Sequence, residues 1–141
     1  GTGVDVSAAD AVTAKDPDTV HSMAHIARKL AEETGAVILV TGEVDIIASP
    51  NKDTTYGIYN GSPNMAKVTG TGCMLTCITG TYLAVTDALT ACILAAITLD
   101  CAGECGKAAQ GLGTYDIELI NQLSVMTEDQ ITQLSNIQRL L

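Results

Sequence analysis

The sequence predicts an α/β fold, a sheet packed by helices. Two observations carry this. Three short strand-like runs, residues 36–40, 44–48 and 55–59, follow a stretch of helical periodicity that opens at Asp16-Pro17. A glycine turn, Gly70-Thr71-Gly72-Cys73, then leads into long uncharged segments with helical character.

The first helix is expected from Asp16, a good N-cap, with Pro17 suited to the first turn. Val20, Met23, Ala24, Ala27, Leu30 and Ala31 recur at helical spacing and form its apolar face, and Gly35 supplies a C-cap. The continuous run Ala36-Val37-Ile38-Leu39-Val40 reads as a strand buried on both faces. Residues 44–48 and 55–59 read as a hairpin or a sheet edge, separated by a turn at residues 50–53.

No charge occurs between Lys67 and Asp87, or from Ala88 to Leu99. The first of these segments is rich in Gly and Thr and Asp87 interrupts the pair, so they read as two buried helices rather than a membrane span. Thr86-Asp87 is the expected N-cap of the second, which should run to about Gln110. Residues 114–124 are expected as an amphipathic helix with Ile117, Ile120 and Leu123 apolar. Thr127-Glu128-Asp129-Gln130 fits a capping box before a terminal helix. Residues 1–16 carry no clear periodicity.

Composition narrows the function classes. The chain has 141 residues, 7 basic and 16 acidic side chains, and a net charge of −9. That balance disfavours nucleic acid and anionic lipid as partners, because both need clustered Lys and Arg. With 47% apolar residues the chain has material for a core. The 5 cysteines, an odd number without framework spacing, read as reduced thiols of a cytoplasmic protein. No secretory signal opens the chain, and a start at Gly1 reads as a piece of something longer.

The strongest chemical signal is the turn at residues 70–73. Glycines let the backbone come close to a ligand. The first amides of the following helix lack intrahelical partners, and the helix dipole adds positive potential there. Together they suit a phosphate; a plain turn that opens a buried helix is the competing reading. The Lys-Ser/Thr pair of a P-loop is missing. Cys73, in the first helical turn, is placed where a thiolate is favoured and could take a proton from an alcohol. Cys77, Cys92, Cys101 and Cys105 read as small buried hydrophobes, and no metal site is assigned to them. His21 and His25, one turn apart, read as solvated surface groups. Thr41 follows a strand, where a hydroxyl is well placed to meet a phosphate. Glu43 and Asp45 read as exposed strand-end charges.

The ordered series Val40-Thr41-Gly42-Glu43-Val44-Asp45, Asn60-Gly61 and Val68-Thr69-Gly70-Thr71-Gly72-Cys73-Met74-Leu75-Thr76 resembles the hydroxyethylthiazole kinase family. That family is ribokinase-like and works in thiamine salvage. Further matches lie at Gly3-Val4-Asp5, Gly35-Ala36-Val37, Tyr82-Leu83-Ala84, Ala102-Gly103-Glu104 and Gly111-Leu112-Gly113-Thr114-Tyr115, with Leu112 where the family usually has Pro.

The resemblance implies that residues 1–141 are the C-terminal half of a ribokinase-like sheet flanked by helices, with the N-terminal half absent. It implies transfer of the ATP γ-phosphate to the hydroxyl of a thiazole alcohol, with Mg2+. By position, Gly70, Thr71 and Gly72 form the anion hole. Cys73 stands where most ribokinase-like kinases place an Asp that activates the acceptor hydroxyl. Thr41 contacts ATP phosphate, and Gly70 also borders the thiazole. The missing half normally supplies a thiazole-contacting Met, an ATP-contacting Arg and the Asn/Glu residues that organise Mg2+. The resemblance also suggests a homo-oligomer, a trimer with sites between subunits. The alternatives are a hydroxymethylpyrimidine-type kinase of the same superfamily and a non-catalytic binding or assembly fragment.

Overall fold

The computed structural model describes residues 16–51 and 54–141. The loop or short strand expected over residues 1–16 lies outside the described residues except for Asp16, as does the Gly3-Val4-Asp5 match; the turn at residues 50–53 is described only in part. The chain forms two compact units: residues up to Gly57 together with Arg139–Leu141, and Ile58–Gln138.

In the first unit, α1 spans Pro17–Thr34. Asp16 caps it as expected, its Oδ2 accepting from the Thr19 amide at 3.2 Å. Gly35, at φ 69°, closes it by donating its amide to Ala31 O at 2.9 Å. Val20, Ala24, Ala27 and Ala31 form the buried stripe. Leu30, expected inside, is 43% exposed. The stripe is narrow because small alanines let the helix lie close to the sheet, and close approach turns Leu30 out to the flank.

The strands are β1 (Ile38–Val40), β2 (Asp45–Ala48), β3 (Thr55–Ile58) and β4 (Ile137–Arg139), in the sheet order β1-β2-β3-β4. β1 pairs antiparallel with β2, with Leu39 opposite Ile47. The burial expected from the sequence is reversed. β1 is an edge strand and only half-buried, whereas every residue of β2 is buried. Each strand's neighbours, not its own apolar run, set its burial. β4 is absent from the sequence reading; Thr55 exchanges backbone hydrogen bonds with Leu140 and Leu141 at 2.8 and 3.2 Å.

In the second unit, a 3-10 turn at Met65–Lys67 precedes α2 (Thr71–Leu83). Then come α3 (Ala88–Cys105), a short 3-10 extension at Gly106–Ala108, α4 (Leu112–Val125) and α5 (Glu128–Leu134). α3 is the core: eleven of its residues are buried, from Leu89 to Gly103. Asp87 caps it, accepting from the Leu89 and Thr90 amides at 3.1 and 3.2 Å. Its stretch Ala88–Ala108 is long and apolar enough to cross a membrane by length and composition, but most of it is buried inside the protein.

The expectation of two buried helices holds for α3 and fails for α2, where Leu75 alone is buried. α2 packs on α3 along one side. The rest of its uncharged surface, including Gly72, Cys73, Thr76, Cys77, Gly80 and Leu83, is exposed.

α4 is also rotated from its expected face. Tyr115 and Leu119 point inward, while Ile117 and Ile120 are 63% and 51% exposed. The Tyr115 hydroxyl donates to Gly103 O at 3.1 Å, and this buried bond to α3 sets the rotation. The capping box opens α5, with Gln130 N to Thr127 Oγ1 at 3.3 Å and Thr127 N to Gln130 Oε1 at 2.9 Å.

Candidate active site

The turn at residues 70–73 opens α2 as the sequence predicts. Gly70 is the N-cap residue at φ 104°, a left-handed conformation that favours glycine. Its carbonyl accepts from the Met74 amide at 2.9 Å, the first bond of the helix. That leaves the amides of Thr71, Gly72 and Cys73 ahead of the first intrahelical donor. Gly70 brings no side chain to cap them. A Cβ built on Gly70 or Gly72 meets nothing within 4 Å. Gly72 and Cys73 are exposed, so a ligand can reach this end of the helix.

Thr71 is fixed from behind: its Oγ1 donates to Met65 O at 3.3 Å. Cys73 is exposed rather than turned into the core. The arrangement offers aligned donors beside an accessible thiol, which suits an anion developing next to a group that accepts a proton.

The other cysteines divide differently from expectation. Cys92 and Cys101 are buried, but Cys77 and Cys105 are exposed, because α2 is bare on one side and Cys105 ends α3. Burial, helped by Glu104 and Asp100 nearby, pushes the Cys101 thiol up to about 12, so it stays protonated and inert. His21 and His25 are both exposed, as expected. Among the described residues, no three His, Cys, Asp or Glu side chains cluster to hold a metal ion.

Thr41 is exposed just beyond β1, in the first unit, whereas residues 70–73 belong to the second. Asp45 departs from expectation: it is 6% exposed and its Oδ1 accepts from the Gly42 amide at 2.9 Å, closing the turn that carries Thr41. Burial raises its carboxyl from 3.8 to about 6, and the Gly42 hydrogen bond acts in the opposite direction. Glu43 is half-buried, not exposed. The Gly-x-x-Asp spacing was the available signal: it lets a carboxylate fold back on a turn amide.

Residues 3–129 match the hydroxyethylthiazole kinase family. The chain belongs to that family. It is 35% identical over 143 residues to hydroxyethylthiazole kinase 1 of Methanosphaera stadtmanae, covering 98% of this chain and 48% of that protein. It is 36% identical over 129 residues to hydroxyethylthiazole kinase 2 of Clostridium botulinum, covering 92% of this chain and 47% of that one. The solved hydroxyethylthiazole kinase protein of Pyrococcus horikoshii superposes with a TM-score of 0.74 at 28% identity, over 88% of this chain and 51% of the other. The chain thus spans about half the length of the relatives it matches.

Proposed function

We propose that this chain carries the phosphoryl-transfer half of a kinase that phosphorylates the hydroxyl of hydroxyethylthiazole with Mg2+ and ATP in thiamine salvage. The observation that carries the reading is the uncapped, open amide turn at Gly70, Thr71 and Gly72 with the exposed Cys73 beside it. Family membership supports the choice of substrate.

In this reading the amides of Thr71, Gly72 and Cys73 hold the oxygens of the travelling phosphoryl group. Their donors are fixed before reaction, so little reorganisation opposes transfer. The acceptor oxygen bonds to phosphorus, the bond to the bridging oxygen breaks, and Cys73 takes the hydroxyl proton. Gly70 borders the thiazole and Thr41 contacts ATP phosphate. No residue of this chain is assigned to Mg2+, whose Asn/Glu partners the N-terminal half supplies in this reading.

Residues 1–141 act as the C-terminal portion of one ribokinase-like domain, and an N-terminal complement supplies the remaining contacts. The bare uncharged side of α2 supports incompleteness: an exposed helix face without charges suits a covering layer. The assembled enzyme works in the cytoplasm as a homo-oligomer.

The test is an ADP-release assay with Mg-ATP on this chain, alone and with the N-terminal segment of a relative. Turnover of hydroxyethylthiazole by the complemented protein, well above that of hydroxymethylpyrimidine, is the expected result. Preference for the pyrimidine alcohol would reassign the substrate. No turnover of either by a stably complemented protein would leave the binding or assembly reading.

A further inference from the structure

Three segments of the second unit that the sequence separates widely meet at Asn60. Glu104, in the last turn of α3, accepts from Asn60 Nδ2 at 3.2 Å through Oε2 and from the Gly61 amide at 3.1 Å through Oε1. Asn60 is buried; its Nδ2 also donates to Leu134 O at 2.9 Å, and its Oδ1 accepts from the Asn136 amide at 2.6 Å. Gly61 stands at φ 109°, so the chain leaves this clamp through a left-handed bend.

The segment that starts at Gly61 ends at the anion turn. It is held midway by α3. Gly103 offers no room for a Cβ, which would collide with Met65 Sδ and lie 3.0 Å from Met65 Cγ. Met65 O then accepts from Thr71 Oγ1 at 3.3 Å. The path from Glu104 to the amides is therefore short: Glu104 fixes Gly61, the chain presses Met65 onto Gly103, and Met65 fixes Thr71. A carboxylate suits this task because it accepts two donors in one plane.

We propose that Glu104 is a positioning residue for the phosphate-binding turn. It touches no substrate; it sets the direction of the Thr71, Gly72 and Cys73 amides through the segment between Gly61 and Gly70. Its purpose rests on the kinase reading, but the mechanical link does not. The competing role is local: tying the C-terminal segment to Asn60 and nothing more.

Amide hydrogen exchange on the full chain separates the two roles. The Met74 amide reports the turn, since its bond to Gly70 O closes the first turn of α2. Glu104→Ala is expected to speed exchange at Gly61 and at Met74 by about 10-fold or more, and in the first half of α3 by less than about twofold. Glu104→Gln keeps an acceptor for the Gly61 amide and should restore most of the Met74 protection. In the complemented enzyme, Glu104→Ala should lower kcat by about 100-fold and leave KM for the thiazole alcohol within about threefold.

Faster exchange at Gly61 with Met74 unchanged would overturn the proposal, and so would uniform loosening of α3 in both variants. A complemented enzyme whose KM rises while kcat holds would overturn it as well. If the wild-type protein shows no turnover but Met74 still responds to Glu104→Ala, the kinase reading fails and the positioning link stands.

Discussion

Replacing Asp45 by Asn tests how burial shapes the first unit. Asp45 is 6% exposed at the start of β2, whose residues are all buried, and burial raises its carboxyl from an ordinary 3.8 to about 6. A folded pKa above the unfolded one means that the folded state holds the proton more tightly. Between about pH 4 and 6 the folded chain therefore binds more protons, and stability falls as pH rises through that window. Above it the cost is fully present. The gap from 3.8 to about 6, at about 1.36 kcal/mol per pH unit, is roughly 3 kcal/mol. Asn keeps an oxygen that can accept from the Gly42 amide but carries no charge to desolvate. Asp45→Asn is thus expected to be more stable than the wild type by about 1–3 kcal/mol above pH 7, with the advantage shrinking toward zero near pH 4. Urea melts of both proteins followed by circular dichroism across that range measure the difference. A difference independent of pH, or an advantage for the wild type that grows as pH rises, would refute the reasoning.

Other outcomes follow from the second unit. Gly103→Ala forces Met65 and the Tyr115 hydroxyl, 3.1 Å from the new Cβ, to move, and should cost about 1–3 kcal/mol despite alanine's better helix propensity. Thermal melts should recover part of that loss in the Gly103→Ala/Met65→Ala double variant. Gly72→Val meets open space, so the melting temperature should barely change. It should block close approach of the phosphoryl group to the backbone, however, and cost about 3 kcal/mol of transition-state stabilisation in the complemented enzyme. Cys73→Ser should lower kcat more than it weakens ATP binding, and Cys73→Asp should retain turnover; wild-type kinetics in both would remove Cys73 from the chemistry. Asp87→Ala removes a cap that serves two amides of α3 and should lower stability by about 1–2 kcal/mol in urea melts.

The sequence by itself determined the local features of this protein. The Asp16, Asp87 and Thr127 caps, the Gly35 stop and the glycine turn at residues 70–73 each depend on residues within one helical turn, and all appear as written. The family was equally legible, because an ordered series of short motifs survives in the chain itself. What needed the tertiary structure was every property set by a distant neighbour. The apolar run at residues 36–40 became a half-buried edge while β2 took the interior, and hydropathy cannot tell which strand will have partners on both sides. α2 looked buried because it carries no charge, yet it packs on one side only. α4 turned Tyr115 rather than Ile117 inward because a hydroxyl found a carbonyl on α3. The link from Glu104 through Asn60 and Gly61 joins residues more than forty positions apart. No periodicity encodes such a contact; only packing decides which half-buried carboxylate meets which distant amide.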